Sequence, residues 1–130
     1  CDEVRALRKR GVTIIITTHY MDEAAALCDR ILIMDNGKII EQGQPAELVR
    51  KHVGEDVLEL DNDEKLVQTL KEEFPDARFE TFGDRVHVFT TQSHGVFERF
   101  LKKHPTTNVT IRNANLEDVF LKLTGRKLRE

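Results

Sequence analysis

One histidine stands where an α/β protein could contact a ligand. His19 directly follows an apolar, β-branched run at Val12–Thr17, which Gly11 precedes. Such a run predicts a strand buried on both faces of a sheet. Asp22 and Glu23 then lie in the first turn of a predicted helix. Ligands of open α/β sheets bind outside the carboxyl ends of the strands, so this imidazole is placed to touch one. A histidine after a strand is also often a simple loop or capping residue, and both interpretations remain open on geometry.

The residues around this histidine carry a family resemblance. Residues 17–24 read Thr-Thr-His-Tyr-Met-Asp-Glu-Ala, residues 28–31 read Cys-Asp-Arg-Ile, and residues 37–43 read Gly-Lys-Ile-Ile-Glu-Gln-Gly. In this order they closely resemble the end of an ABC-transporter ATPase domain, over residues 4–52. The resemblance implies that His19 is the switch histidine, which contacts the γ-phosphate of ATP and helps to orient the attacking water.

The far end of the chain is similar to one branch of that family. Residues 115–125 read Asn-Leu-Glu-Asp-Val-Phe-Leu-Lys-Leu-Thr-Gly. They resemble the C-terminal tail of the ATP-binding subunits of multidrug, antibiotic and polysaccharide exporters. The resemblance implies a cytoplasmic subunit that couples ATP binding and hydrolysis to transport. Its partners would be a second copy of the subunit and an integral membrane permease, which would hold it at the inner face of the cell membrane.

Several parts of an ATPase are missing from the sequence. It has no Gly-x-x-x-x-Gly-Lys-Ser/Thr loop to cradle phosphates, no Ser-Gly-Gly signature, and no apolar strand ending in an Asp-Glu pair that could hold Mg²⁺. In the family these parts lie upstream of a helix like residues 2–10. We therefore expect a C-terminal piece of a longer ATP hydrolase. ATP and Mg²⁺ would be cofactors of the full-length parent, whereas this chain alone is expected to bind no cofactor and to have no catalytic activity.

Composition argues against other classes of protein. The chain has 130 residues, with 20 Lys and Arg against 23 Asp and Glu, a formal net charge of −3. That balance is unlike the basic surface of a nucleic-acid binder. The histidines show no His-x-x-x-His pair, so no metal site is predicted. Cys1 and Cys28 lack Cys-x-x-Cys spacing, which favours a reducing cytosolic compartment. No apolar run approaches the roughly 20 residues that cross a bilayer.

The first predicted domain, residues 1–53, is an α/β fragment with an incomplete ABC ATPase sheet. After a helix at Glu3–Lys9, the patterns predict strand Val12–Thr17, helix Met21–Cys28 and strand Ile31–Met34 as a β-α-β unit. Asn36-Gly37 predicts a tight hairpin turn, because both residues accept positive φ. A helix at Ala46–Lys51 would end the domain. A strand as apolar as Val12–Thr17 needs neighbouring strands, which the family supplies from upstream.

The second predicted domain, residues 54–130, is an α+β ferredoxin-like β-α-β-β-α-β domain with an extra C-terminal helix. Its predicted elements are Asp56–Leu60, Asp63–Phe74, Arg78–Phe82, Val86–Thr91, Gly95–Lys103, Asn108–Arg112 and Leu116–Leu123. In the last helix an apolar stripe is flanked by Asn115 as N-cap and Gly125 as C′ residue. Nothing here resembles a catalytic constellation. Ser93 and His94 are adjacent, but Ser93 is better interpreted as the N-cap of the helix that follows. The alternative function is therefore a regulatory or dimerisation module with no chemistry of its own.

Overall fold

The computed structural model describes residues 2–90, 96–104 and 108–125. Within these ranges the chain is mixed α/β, with six helices and two antiparallel sheets. The elements in chain order are α1 (Asp2–Lys9), α2 (Met21–Leu27), β1 (Ile31–Asp35), β2 (Lys38–Gly43), α3 (Pro45–His52), β3 (Asp56–Asp61), α4 (Glu64–Glu73), β4 (Arg78–Phe82), β5 (Arg85–Thr90), α5 (Val96–Lys103), β6 (Val109–Asn113) and α6 (Leu116–Thr124).

The chain divides into two compact units. Unit 1 comprises residues Cys1–His52 together with Asn115–Glu130, and unit 2 comprises Val53–Ala114. Unit 2 is therefore inserted, in sequence, into unit 1. The sequence predicts instead two consecutive domains, residues 1–53 and 54–130, with α6 in the second. In the structure α6 packs against α3 and α2.

Unit 1 contains the predicted hairpin of β1 and β2. Asn36 and Gly37 have φ of +50° and +75°, the combination that a two-residue hairpin turn requires. The register shifts by one residue after Ile33, which leaves Ile40 as the extra residue of a bulge. On β1, Ile31 and Ile33 are buried while the alternate side chains are exposed. The hairpin therefore has one face in the interior of unit 1 and one apolar face in solvent.

The strand predicted at Val12–Thr17 is not formed, and the prediction of a parallel β-α-β unit is wrong for this chain. Residues 12–17 have no regular secondary structure. Ile14 and Ile16 are half-buried, but Ile15 is 91% exposed. A central parallel strand is held by hydrogen bonds to strands on both sides, and none of the described strands pairs with this segment. The apolar composition of residues 12–17 is typical of a strand that is paired on both sides, but the described residues supply no such pairing.

Unit 2 is built on one four-stranded sheet with the order β4-β5-β3-β6. All its neighbouring strands are antiparallel. In this order β3 lies between β5 and β6. The helices α4 and α5 contribute buried side chains to a continuous core with the sheet, whose fully or nearly fully buried members are Leu58, Leu60, Leu70, Val86, Val88, Phe97 and Phe100. Alternate side chains of β3 (Leu58 and Leu60) and of β5 (Val86 and Val88) supply the sheet's part of this core.

The last helix has the ends that its sequence predicted. The Asn115 side chain accepts from the Asp118 backbone N–H at 3.0 Å, and the Asp118 carboxylate accepts from the Asn115 N–H at 2.9 Å. These two bonds form a capping box. Gly125 ends the helix in the left-handed region at φ +72°. Its buried stripe of Leu116, Val119 and Phe120 lies at spacing i, i+3, i+4, so α6 has one apolar face.

Candidate functional site

His19 lies in a short turn that leads into α2. The Tyr20 backbone N–H donates to the Thr18 hydroxyl at 3.0 Å, so the chain turns tightly about His19. The Tyr20 ring lies beside the imidazole, with ring centroids 4.2 Å apart and planes tilted by 34°. Local bonding thus holds His19 in a defined loop, even though the strand predicted before it is absent.

The imidazole of His19 is exposed to solvent. Within the described residues it forms no hydrogen bond or ion pair, and its ring contact is with Tyr20. An imidazole presents one N–H donor when neutral and two when protonated. His19 can therefore donate to an anionic oxygen that approaches from solvent, without first breaking a protein hydrogen bond.

The helix that follows, α2, is short and depends on its surroundings. It has seven residues, and its N-cap Tyr20 makes no side-chain capping bond. Asp22 and Glu23 occupy its first turn and are exposed, where carboxylates complement the partial positive charge of a helix start. They are not brought together with His19 by any described hydrogen bond. Their place in the first turn of the helix is the one that the sequence predicted.

The other end of α2 is tied to α1. Arg8 donates to the Leu27 carbonyl at 3.3 Å and to the Asp29 carboxylate at 2.5 Å. The first bond satisfies a carbonyl in the last turn of α2, which carries no basic residue of its own. Leu27 is the buried residue of α2. The C-terminal end of the helix is therefore better anchored than the end next to His19.

A polar cluster that sequence reasoning missed joins β2 to α3. His52 Nε2 lies 2.5 Å from Glu41 Oε2, and Lys51 Nζ lies 3.3 Å from the same oxygen. The backbone N–H of Gln42 donates to the other carboxylate oxygen at 2.9 Å. The bonds from Gln42 and His52, aided by Lys51 and opposed by burial, lower the pKa of Glu41 to about 2. Glu41 and His52 are eleven residues apart with no recognisable spacing, although the Gly-Gln-Pro turn between them was a usable signal.

Unit 2 has its own polar group, on β3, β5 and β6. Arg112 Nε donates to Glu59 Oε1 at 2.5 Å, and His87 Nε2 lies 3.6 Å from the same oxygen. Burial raises the pKa of Glu59, but the bond and charge of Arg112 outweigh it, with smaller contributions from His87 and Arg85, and the net pKa is lowered. Cross-strand charge pairs of this kind stabilise a sheet. Ser93 and His94, also considered from the sequence, lie outside the described residues.

Other functional classes gain no support from the described part of the chain. It contains no group of three or more His, Cys, Asp or Glu side chains that could hold a metal ion. None of the helices described has the length and apolar character needed to span a bilayer. Cys28 is a free, half-buried thiol. The group with accessible chemistry that the sequence singled out remains His19.

Comparison with known proteins assigns the chain to a family. Residues 60–125 match the family described as nodulation factor export protein NodI, C-terminal domain. The chain is 37% identical over 131 aligned residues to the Nod factor export ATP-binding protein I of Neorhizobium galegae, covering 99% of this chain and 37% of that protein. The same protein of Mesorhizobium japonicum is 37% identical, with 99% and 38% covered. That of Ralstonia nicotianae is 36% identical over 135 residues, with 99% and 42% covered.

These matches bear on the resemblance drawn from the sequence. The chain spans less than half the length of the curated relatives it matches. These relatives are named as ATP-binding proteins of an exporter, so the resemblance to the C-terminal part of an ABC exporter's ATP-binding subunit is confirmed. The matched range runs through most of unit 2 and all of α6, and on that match the chain belongs to the family of the nodulation factor export protein NodI C-terminal domain.

Proposed function

We propose that this chain is part of the ATP-binding subunit of an ABC exporter, which couples ATP binding and hydrolysis to substrate transport. The observation that carries the proposal is family membership together with an exposed imidazole at the expected place, directly before α2. The names of the relatives, Nod factor export ATP-binding proteins, support export as the direction of transport.

His19 is the residue of this chain that acts on ATP. Its N–H donates to an oxygen of the γ-phosphate and helps to orient the attacking water. Phosphoryl transfer is catalysed mainly by positioning and by charge stabilisation, so a donor held at the transferring group lowers the barrier. The turn formed by Thr18 and Tyr20 supports this role, because it limits the positions that the imidazole can adopt.

The remaining requirements of the reaction belong to the longer protein. ATP and Mg²⁺ bind to that protein, and the 130-residue chain alone neither hydrolyses ATP nor holds a cofactor. The partners are an integral membrane permease and a second copy of the subunit, and the location is the cytoplasmic face of the membrane. Apolar side chains exposed on unit 1, such as Leu32 and Met34, support a need for partner surfaces.

Unit 2 is a ferredoxin-like accessory domain with a regulatory role. Its antiparallel order β4-β5-β3-β6, with one helix after β3 and one after β5, supports this fold. The second candidate function, a regulatory or dimerisation module without chemistry, is favoured for unit 2 by its polar groups. Glu59, His87 and Arg112 are engaged with one another across the sheet. The two functions are compatible within one chain.

The test of the proposed function is His19→Ala in the full-length protein. We expect kcat for ATP hydrolysis to fall by about 10²–10³-fold, the loss typical of removing one preorganised charge-stabilising donor. Nucleotide affinity should be nearly unchanged. The matched control is Glu23→Gln, which alters an exposed side chain in the first turn of α2. Steady-state ATPase assays and equilibrium nucleotide titrations supply the two measurements.

The outcomes separate the candidate functions. A large loss of kcat in His19→Ala with normal turnover in Glu23→Gln supports the catalytic assignment. Wild-type turnover in His19→Ala removes His19 from the mechanism. Equal losses in both variants would mean that the loop and α2 are sensitive to any change, and the specific role of the imidazole would be rejected.

A further inference from the structure

The helix next to His19 cannot be stable by itself. Isolated helices shorter than about 12–15 residues are marginal in water, and α2 has seven residues. Its N-cap contributes no side-chain bond, and its single buried side chain is Leu27, at the far end. The first turn of α2, which directly follows Tyr20, is therefore held by tertiary packing rather than by its own sequence.

The elements that pack against α2 hold different parts of it. Arg8 of α1 bonds to the last turn of α2 and to Asp29, both distant from His19. Two helices, α3 and α6, pack against α2, and α6 also packs against α3. Thus the three helices pack against one another, and α6 contacts each of the other two more extensively than they contact each other.

The last helix is also the best-formed of the three. It has a capping box at Asn115 and Asp118 and a left-handed glycine cap at Gly125. The Lys122 Nζ donates to the His52 backbone carbonyl at 2.6 Å, which binds the end of α3 to α6. Lys side chains stabilise helix C-termini in this way. The helix α6 therefore has hydrogen-bonded caps at both ends, which α2 lacks at its N-terminal end, and it can support α2.

We propose that α6 acts as a clamp that keeps α2 folded and thereby positions His19. Val119 and Phe120 are then positioning residues, because they lie in the buried face of α6. The inference about activity rests on the proposed function of His19, whereas the inference that α6 orders α2 does not. It also explains why the last helix, which follows β6 of unit 2 in sequence, belongs to unit 1.

The test uses amide hydrogen exchange in the whole chain. Two amides report on α2: the Ala24 N–H donates to the Tyr20 carbonyl at 3.1 Å, and the Cys28 N–H donates to the Ala24 carbonyl at 3.0 Å. Truncation of a clamp residue, Phe120→Ala, should raise their exchange rates on the order of tenfold, as expected when local opening becomes easier. Amides of the paired strands β3 and β5 in unit 2 should be unaffected. The matched control is Glu117→Ala, an exposed position on the same helix.

A second variant guards against global unfolding. If Phe120→Ala also exposes the β3 and β5 amides, Val119→Ala makes a smaller truncation on the same face and should raise α2 exchange by a smaller factor. Faster exchange at Ala24 in either variant, with unit 2 protected, supports the clamp. Unchanged exchange at Ala24 while α6 itself loosens overturns it.

Kinetics in the full-length protein distinguish this inference from the proposed function. Phe120→Ala should lower kcat by up to about 10²-fold, the cost of misplacing a reacting group by about 1 Å, without a change in nucleotide affinity. If His19→Ala lowers kcat but Phe120→Ala leaves α2 exchange unchanged, the clamp fails and the proposed function stands. If Phe120→Ala loosens α2 while neither variant changes kcat, the clamp stands and the catalytic role of His19 fails.

Discussion

Units 1 and 2 differ in how far they bury their large apolar side chains. In unit 2 such residues converge between the sheet and two helices, and Leu58, Leu70 and Val88 are fully buried. All eight large apolar or aromatic side chains that are exposed in the described residues belong to unit 1: Leu7, Val12, Ile15, Tyr20, Leu32, Met34, Ile39 and Ile40. Unit 1 therefore leaves more of its large apolar side chains in solvent than unit 2 does.

The difference shows where each unit obtains its stability. A four-stranded sheet covered by helices closes a core with its own residues. A two-stranded hairpin cannot do so, and unit 1 depends on helices at both ends of its sequence, including α6. The histidine with accessible chemistry lies in this more dependent unit.

Separating the two units should give the largest effect. Residues 53–114 should fold alone with well-dispersed proton–nitrogen correlation spectra, because their core is closed. Residues 1–52 should be unfolded, because that segment lacks α6. Circular dichroism and the correlation spectra of the two segments measure this. A well-dispersed spectrum from residues 1–52 would contradict the claim that unit 1 depends on its distant helix.

A pair of leucine truncations should give the next largest effect. Leu70→Ala removes a fully buried side chain from the core of unit 2, and should lower the free energy of unfolding by about 2–5 kcal/mol. Leu32→Ala removes a side chain of unit 1 that is 54% exposed, and should change it by no more than about 0.5 kcal/mol. Urea unfolding of the whole chain, followed by amide signals from each unit, measures both changes.

The control is built into the pair, because the two variants delete the same atoms from different surroundings. Similar losses would mean that the exposed face of β1 is covered in solution, for example by a second copy of the chain. The contrast between the units would then belong to the isolated chain and not to its assembled form.

Local features of the fold followed from the sequence, and long-range ones did not. The Asn36-Gly37 turn and the caps of α6 were predictable because they depend on the φ preference or hydrogen bonding of a few adjacent residues. The prediction of a strand at Val12–Thr17 was wrong, because such a strand forms only when neighbouring strands pair with it. The placement of α6 was missed because an apolar stripe indicates that a face is buried but not what buries it.

The candidate site shows the same limit. His19 was identified from its place after a predicted strand and before a predicted helix, and from the family resemblance. The strand is not formed, whereas the helix and the family match are confirmed. Its catalytic role remains a prediction. The Glu41–His52 pair was missed, because the turn between β2 and α3 indicates that the chain reverses there but not which side chains then meet at 2.5 Å.

The smallest expected effect is the acid sensitivity of each unit. The pKa of Glu41 is lowered to about 2 in the fold from an ordinary value of 4.5, so the folded state favours the charged carboxylate. A lowered pKa contributes stability above the ordinary value, and this stability is lost as pH falls from about 4.5 towards about 2. Glu41→Gln should therefore reduce the pH dependence of unit 1 unfolding in this window and leave that of unit 2 unchanged. Glu59→Gln, at a carboxyl whose pKa is also lowered, should do the reverse.

Urea titrations at several pH values, read by the amide of Ala24 for unit 1 and of Val88 for unit 2, give the two profiles. If either variant flattened both profiles equally, the two units would unfold as one cooperative body, and the contrast between them would not extend to their stability.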